Sequence, residues 1–107
     1  MNLNSQISAS IERVKILLKT LTQEKAHVTH FGATDMDPKH LAVWLCVETD
    51  AECARLEANL LSIRDQIHAC FRAEHYPSQA VPFIGVGVAA QETVTRDYKG
   101  NWWHFFK

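Results

Sequence analysis

The residues best suited to binding a metal ion fall in one short segment near the middle of the chain. They are His27, His30, Asp35, Asp37 and His40. A metal site needs such ligands to converge on one point about 2 Å from each of them. On a strand, however, His27 and His30 would point to opposite faces, because side chains alternate along a strand. The alternative is a polar loop flanked by surface histidines, so the sequence predicts neither a metal nor a cofactor.

The cysteines are the next residues that could carry chemistry. Cys53 and Cys70 lie on an apolar helical stripe, where a thiol behaves as a small hydrophobic side chain. Cys46 lies close to Trp44 in the sequence, and it is the one thiol for which we consider an accessible, reactive position, with burial as the alternative. The three cysteines show no C-x-x-C spacing and no even framework for disulfides. Reduced thiols in a cytoplasm are therefore the simplest interpretation.

Motifs of nucleophilic catalysis and of phosphate binding are missing from the sequence. Glu92, Arg96 and Asp97 of the predicted hairpin, with Glu48 at a strand end, are candidates for an acid–base pair. The alternative is a set of solvated charges on an exposed hairpin. The sequence leaves the question of catalysis open and favours a protein that is not an enzyme.

Composition narrows the classes of protein further. A chain of 107 residues, 47% hydrophobic and 21% charged, predicts one α+β domain over residues 1–107. A net charge of −1 argues against broad binding to nucleic acids or acidic membranes. The N-terminus does not resemble a signal peptide, and the long uncharged run at 75–91 is broken by Pro and Gly. We therefore expect a cytoplasmic protein with no membrane partner.

Periodicity in the first half predicts a helix followed by two strands. Apolar residues recur at three- and four-residue steps over residues 5–24, which is typical of an amphipathic helix. Residues 26–32 are β-like, residues 33–39 form a polar loop, and residues 40–48 are the clearest strand. Leu41, Val43, Leu45 and Val47 alternate with Ala42, Trp44 and Cys46. Because both faces of this strand are apolar, we expect it to be central in the sheet.

A second helix is predicted to begin at Thr49 and to end before Pro77. Thr49 and Glu52 fit a capping box, in which the hydroxyl accepts from the amide of Glu52 and the Glu52 carboxylate reaches back. The apolar stripe is formed by Cys53, Leu56, Leu60, Ile63, Ile67 and Cys70.

The end of the chain reads as a β-hairpin. Its first strand is predicted at residues 83–90, its turn at 97–101, and its second strand at 102–106. Phe83, Gly85, Gly87 and Ala89 share one face of the first strand, where small residues allow a helix or a large ring to approach the backbone closely.

These elements follow the order α-β-β-α-β-β. The order predicts a two-layer α/β sandwich, with two helices on one face of a four-stranded, mainly antiparallel sheet. A circular permutation of a ferredoxin-like fold would give the same order, as a topological analogy.

The aromatic side chains of the sheet are the strongest candidate for a binding surface. On the face away from the helices we predict an interaction face of Trp44, Cys46, Trp102, His104 and Phe106, with Trp103 and Phe105 replacing the last three residues if the strand has the other parity. Exposed apolar patches of this kind usually bind a partner, and Trp is enriched in binding hot spots. The alternative is that a loop or the protein's own edge covers these side chains.

We therefore expect a small non-catalytic interaction module: a homodimer, an adaptor, or an immunity- or inhibitor-like protein that binds a partner protein through its sheet. The alternative is a small-ligand-binding protein or an enzyme with a pocket at the sheet face or at a dimer seam.

Overall fold

The computed structural model describes residues 3–106, without the side chains of Trp103 and His104. Its helices and strands follow one another as α1 (Asn4–Leu21), β1 (His27–Phe31), β2 (Ala42–Val47), α2 (Asp50–Glu57), α3 (Leu60–Ala73), β3 (Gly85–Ala90), α4 (Gln91–Asp97) and α5 (Trp102–Phe106). Short 3₁₀ turns at Pro38–His40 and Val81–Phe83 precede β2 and β3. Within the described range, none of the helices combines the length and the apolar character that crossing a bilayer requires.

The sheet has the strand order β1-β2-β3 in the described part of the chain. β1 pairs with β2 in antiparallel fashion, with Thr29 opposite Trp44. β2 pairs with β3 in parallel, with Trp44 opposite Gly87. β2 is thus the central strand, as its two apolar faces predict.

The hydrophobic core lies between one face of this sheet and the helices α1 and α3. It includes Ile7, Ile11, Val14 and Leu18 of α1, Val43, Leu45 and Val47 of β2, and Ile63, Ile67 and Phe71 of α3. Each of these side chains is at most 6% exposed. Burial of one such side chain stabilises the fold by about 1.5–3 kcal/mol, so the stripes seen in the sequence face this layer.

The α+β class is confirmed, but the predicted four-stranded, mainly antiparallel sheet with the order α-β-β-α-β-β is wrong. The sheet is mixed. β3 runs parallel to β2 because α2 and α3 carry the chain back to the end of the sheet at which β2 begins. A parallel neighbour requires such a crossover, whereas an antiparallel neighbour can follow a tight turn. The ferredoxin-like permutation is overturned with the predicted order.

The predicted C-terminal hairpin is also wrong. Its polar stem forms helix α4, and the aromatic segment forms the short helix α5. The chain does turn between them, with positive φ at Lys99 (54°) and Gly100 (78°). Trp102, Phe105 and Phe106 have the i, i+3, i+4 spacing that places side chains on one side of a helix. A five-residue aromatic run fits both periodicities, and tertiary contacts select the helix here.

The second predicted helix is divided into α2 and α3. The Asn59 amide donates to the Leu56 carbonyl, three residues back, and Ala58 and Asn59 connect the two helices. Asn favours the backbone of turns over that of helix interiors, which explains the position of the break. The apolar stripe continues across it, because Leu56 and Ile63 are both buried in the same core.

Helix α3 ends at Ala73, before Pro77 as predicted, and a turn through His75 closes it. His75 has φ 63°, the left-handed conformation. The His75 amide donates to the Arg72 carbonyl, and the Tyr76 amide donates to the Phe71 carbonyl. The Phe71 and Tyr76 rings are also in contact, with centroids 5.3 Å apart. These features define a Schellman motif, with His75 in the position that usually holds glycine.

Candidate functional site

The second face of the sheet, opposite the core, carries the predicted interaction residues of β2. The strand register places His27, Thr29 and Phe31 of β1, Ala42, Trp44 and Cys46 of β2, and Gly85, Gly87 and Ala89 of β3 on this face. Large side chains therefore lie on β1 and β2, and small ones on β3.

Helix α5 of the same chain lies on this second face. We call Phe31, Trp44, Trp102, Phe105 and Phe106 the aromatic layer. The Trp44 ring contacts Phe105 and Phe106, at centroid distances of 5.8 and 5.3 Å. Phe31 contacts Phe106 at 5.4 Å, and Trp102 stacks on Phe106 at 5.7 Å. In this part of the molecule the aromatic side chains of the sheet are covered by the protein itself, which was the alternative to an open binding surface.

The Trp44 ring lies directly over the backbone of Gly87. A Cβ atom added to Gly87 would be 2.7 Å from Trp44 Cζ3, closer than carbon atoms approach each other. A Cβ atom at Gly85 would be 3.8 Å from the Ala42 Cβ, an ordinary contact distance. The predicted close approach at the small-residue face of β3 is thus confirmed at Gly87, and the approaching group is the Trp44 ring.

The structure brings together part of the predicted interaction face. Trp44, Trp102 and Phe106 are half-buried and contact one another in the aromatic layer. Phe105 joins the same layer, because a helix does not separate residues 105 and 106 onto opposite faces as a strand does. The side chain of His104 lies outside the described part of the structure.

Cys46 lies on the second face but is only 1% exposed. Desolvation by burial raises the pKa of its thiol to about 12, which favours the protonated and unreactive form. The accessible position considered for Cys46 is therefore wrong, and its role in the structure is packing. Its neighbour on the central strand, Trp44, is the member of the pair that reaches the surface.

Two aromatic side chains at the margin of the layer are the most exposed. Phe31 is 43% exposed and Tyr98 is 37% exposed. The Tyr98 ring contacts Phe105 at a centroid distance of 5.4 Å, and His27 contacts Trp102 at 5.6 Å. The aromatic contacts thus extend from the edge strand β1 to the turn before α5.

Polar contacts attach α4 to the N-terminus of α2. The Asp50 carboxylate accepts from Thr93 Oγ1 at 2.6 Å and from Arg96 Nη1 at 2.8 Å. In return, the Glu92 carboxylate accepts from the Asp50 amide at 2.7 Å. The hydrogen bonds from Thr93 and Arg96 lower the pKa of Asp50. The charges considered as an acid–base pair therefore include residues that hold two helix ends together.

The N-terminus of α2 has a second carboxylate partner. Thr49 Oγ1 accepts from the Glu52 amide at 3.1 Å, which confirms half of the predicted capping box. The reciprocal contact comes from Glu24, whose Oε1 accepts from the amides of Glu48 and Thr49 at 3.1 Å each. The Glu52 carboxylate pairs instead with Arg55 and Thr22. A loop residue distant in sequence has thus replaced the local partner.

The histidines of the first half separate as predicted. His27 lies on the second face and contacts Trp102, whereas His30 lies on the core face of β1, where burial and the charge of Lys15 lower its pKa. Among the residues that the structure describes, no three His, Cys, Asp or Glu side chains come close enough to hold a metal ion.

A histidine that sequence reasoning missed lies in the core. His68 of α3 is 5% exposed, and its Nε2 lies 3.0 Å from the carbonyl oxygen of Ile84. The contact ties α3 to the residue that precedes β3. The only signal in the sequence was a histidine next to the apolar stripe, at Ile67.

A groove of about 920 Å³ opens between α1 and β1, and Trp44 is not among the residues that line it. Its apolar lining includes Ile16, Ala26 and Val28, and its charged lining includes Lys15 and Lys19. It borders the outer edge of β1.

Compared with known proteins, the chain matches no family model and has no significant match among curated proteins or solved structures.

Proposed function

We propose that this protein is a non-catalytic interaction module whose second sheet face is a docking site for a short aromatic helix of a partner protein. One observation carries the proposal: such a helix, α5, already lies on this face and contacts Trp44 through its rings. The residues of α5 therefore indicate the chemistry that the face accepts. A matching partner segment presents aromatic side chains at i, i+3 and i+4, the spacing of Trp102, Phe105 and Phe106.

The shape of the face supports a helical occupant. Trp44, whose ring covers the backbone of Gly87, and Phe31 form an aromatic floor across the three strands. Aromatic pairs contribute about 0.5–1.5 kcal/mol each beyond the burial of their area. Such contacts are directional enough to select aromatic rings over aliphatic side chains.

Helix α5, which covers the second face, has little stability of its own. Helix α5 has five residues, and a helix this short does not form alone in water. It is held by ring contacts and by the hydrogen bond that Trp102 Nε1 donates to Gln91 Oε1 at 2.8 Å. A partner helix with the same spacing therefore competes with α5 for one site, and the tethered segment has the advantage of a high effective concentration.

The test uses a fluorescent peptide with the sequence of residues 101–107 and two versions of the full chain. The variant Phe105→Ala/Phe106→Ala loses the rings that contact Trp44, so its second face is open to the peptide. We expect it to bind the peptide at least about tenfold more tightly than the wild type does, because α5 no longer competes. Fluorescence anisotropy gives both affinities.

Two controls make the outcome specific. A peptide with alanine in place of Trp102, Phe105 and Phe106 should bind neither protein. The variant Leu61→Ala, which changes a side chain that is 70% exposed on α3, should bind the peptide as the wild type does. The proposal fails if the folded double variant does not bind the peptide, or if the double variant unfolds and shows that α5 is inseparable from the core.

Small-ligand binding at the sheet face stays a prediction. The groove of about 920 Å³ lies between α1 and β1, and Trp44 is not part of its lining.

A further inference from the structure

The outer edge of β1 is unpaired in the described part of the chain. β1 pairs with β2 along its inner edge, and the strand order gives it no second neighbour among residues 3–106. An edge strand presents a row of free amide and carbonyl groups, and it needs charged residues, proline or a cover to prevent association. β1 has the sequence HVTHF and carries neither Lys nor Pro. It is therefore suited to pairing with another strand.

Helix α1 presents an exposed stripe on the side of this edge. Glu12, Ile16 and Lys19 are spaced four and three residues apart, so they share one side of the helix. All three line the groove next to β1. Ile16 is 66% exposed, so the apolar side chain at the centre of the stripe is open to a partner. Ile16 lies outside the apolar stripe of α1 that forms the core.

The charges of the stripe are arranged for pairing with a copy of itself. Glu12 lies at one end, Lys19 at the other, and Ile16 in between. The Glu12 carboxylate also accepts from Lys15 Nζ of its own helix at 3.0 Å, an exposed contact that a second cation can share. When two α1 helices run antiparallel about a two-fold axis, Glu12 faces Lys19 of the partner subunit, and Lys19 faces Glu12 of the partner subunit. The two-fold operation also brings the apolar centres together. An isologous contact requires this self-complementarity.

We propose that this protein forms a two-fold symmetric homodimer in which β1 pairs antiparallel with β1 of the partner subunit and the α1 stripes pack against each other. The sheet then continues through the dimer, with β1 at its centre rather than at its edge. The free backbone groups of β1 are satisfied, and Ile16 is buried in the groove between α1 and β1. This interface is separate from the second sheet face, so it does not depend on the proposed docking function.

The first test measures the mass of the full chain in solution by sedimentation velocity over roughly 1–500 μM, a range that covers typical dimer affinities. We expect a concentration-dependent dimer for the wild type. Ile16→Lys should weaken the dimer about a hundredfold, because it places two like charges at the centre of the contact. Leu61→Lys, at an exposed apolar position on α3, is the matched control and should leave the dimer unchanged. Circular dichroism verifies that each variant is folded.

Charge exchange tests the two-fold arrangement itself. Glu12→Lys alone and Lys19→Glu alone should each weaken the dimer about tenfold, since each creates like-charged contacts on both sides of the axis. The two single variants mixed in equal amounts should form a heterodimer, because every contact again joins opposite charges. The double variant Glu12→Lys/Lys19→Glu should also regain the wild-type affinity.

Hydrogen exchange tests the strand pairing. The amides of residues 27–31 should exchange more slowly at concentrations where the dimer is populated. A wild type that is monomeric throughout the concentration range overturns the proposal. A dimer that Ile16→Lys leaves intact also overturns it. The same holds if the mixture of Glu12→Lys and Lys19→Glu chains does not form a heterodimer. A dimer with concentration-independent exchange in β1 overturns the strand pairing.

Discussion

The ring of Trp44 rests on the backbone of Gly87, its direct neighbour across the parallel pair of strands. The two residues belong to adjacent strands. The Trp44 ring leaves no room for a side chain at position 87. The absence of a side chain at Gly87 allows the ring to lie flat enough for α5 to pack above it. This contact links the composition of β3 to the position of the aromatic layer.

Gly87→Ala should destabilise the protein by about 1–3 kcal/mol, the usual cost of overpacking. The added Cβ would lie 2.7 Å from Trp44 Cζ3, so the ring must move, and the contacts with α5 move with it. Urea denaturation followed by tryptophan fluorescence measures the change in the free energy of unfolding. Gly85→Ala is the control, since its Cβ would lie 3.8 Å from the nearest atom. Equal effects of the two substitutions would contradict the proposed role of Trp44.

His75→Gly should stabilise the protein by about 1 kcal/mol. His75 has φ 63°, and a left-handed conformation costs a side-chain-bearing residue about 1–2 kcal/mol that glycine does not incur. The gain is reduced by the greater conformational entropy that glycine brings to the unfolded chain. Thermal and urea unfolding measure the difference, and His75→Ala serves as the control, with no stabilisation expected. A destabilised glycine variant would show that the imidazole makes a contribution larger than the backbone strain.

Glu52 should contribute to the loss of stability in acid. Hydrogen bonds from Arg55 and Thr22 lower the pKa of its carboxyl from 4.5 to about 2 in the folded protein. A carboxyl with a depressed pKa stabilises the folded state above the pKa of the unfolded chain, and this contribution is lost as the pH falls from about 4.5 to about 2. Glu52→Gln should therefore flatten the dependence of unfolding free energy on pH in this window. Asp35→Asn, a change in an exposed loop, should keep the wild-type slope.

Cys46 should resist thiol reagents in the folded protein. The variant Cys53→Ala/Cys70→Ala leaves Cys46 as the only cysteine, with 1% exposure and a thiol pKa of about 12. At pH 8 we expect its reaction with a disulfide reagent to be limited by unfolding, and therefore to accelerate with added urea. Fast labelling without denaturant would show that the second face opens and would restore Cys46 as a candidate reactive group.

The sequence correctly predicts the helices and strands that have a long, regular pattern of apolar residues. The helix from Asn4 to Leu21, the central strand around Trp44 and the cap at Thr49 are found where periodicity and side-chain chemistry place them. In each of these cases, local preference and tertiary burial agree. That agreement is why sequence reasoning succeeds there.

The failures occur where distant contacts decide between local alternatives. Trp102, Phe105 and Phe106 fit a strand or a helix equally well, and the sheet face under Trp44 selects the helix. The partner of the Thr49 amide is Glu24, which no local pattern identifies. The aromatic composition of the candidate site was therefore predictable. Its cover by the same chain was one of two alternatives that the sequence left open, because the choice depends on how residues 102–106 pack in three dimensions.

The parallel pairing of β2 with β3 has a consequence for the order in which the molecule assembles. β1 and β2 are joined by a short loop and can pair as soon as both have been synthesised, whereas β3 must wait for the segment from Glu48 to Ile84. A non-local pair of strands loses loop-closure entropy before its contacts can form, and this loss slows folding. We therefore expect an early intermediate with the β1–β2 hairpin against α1, in which the second face of the sheet is still bare.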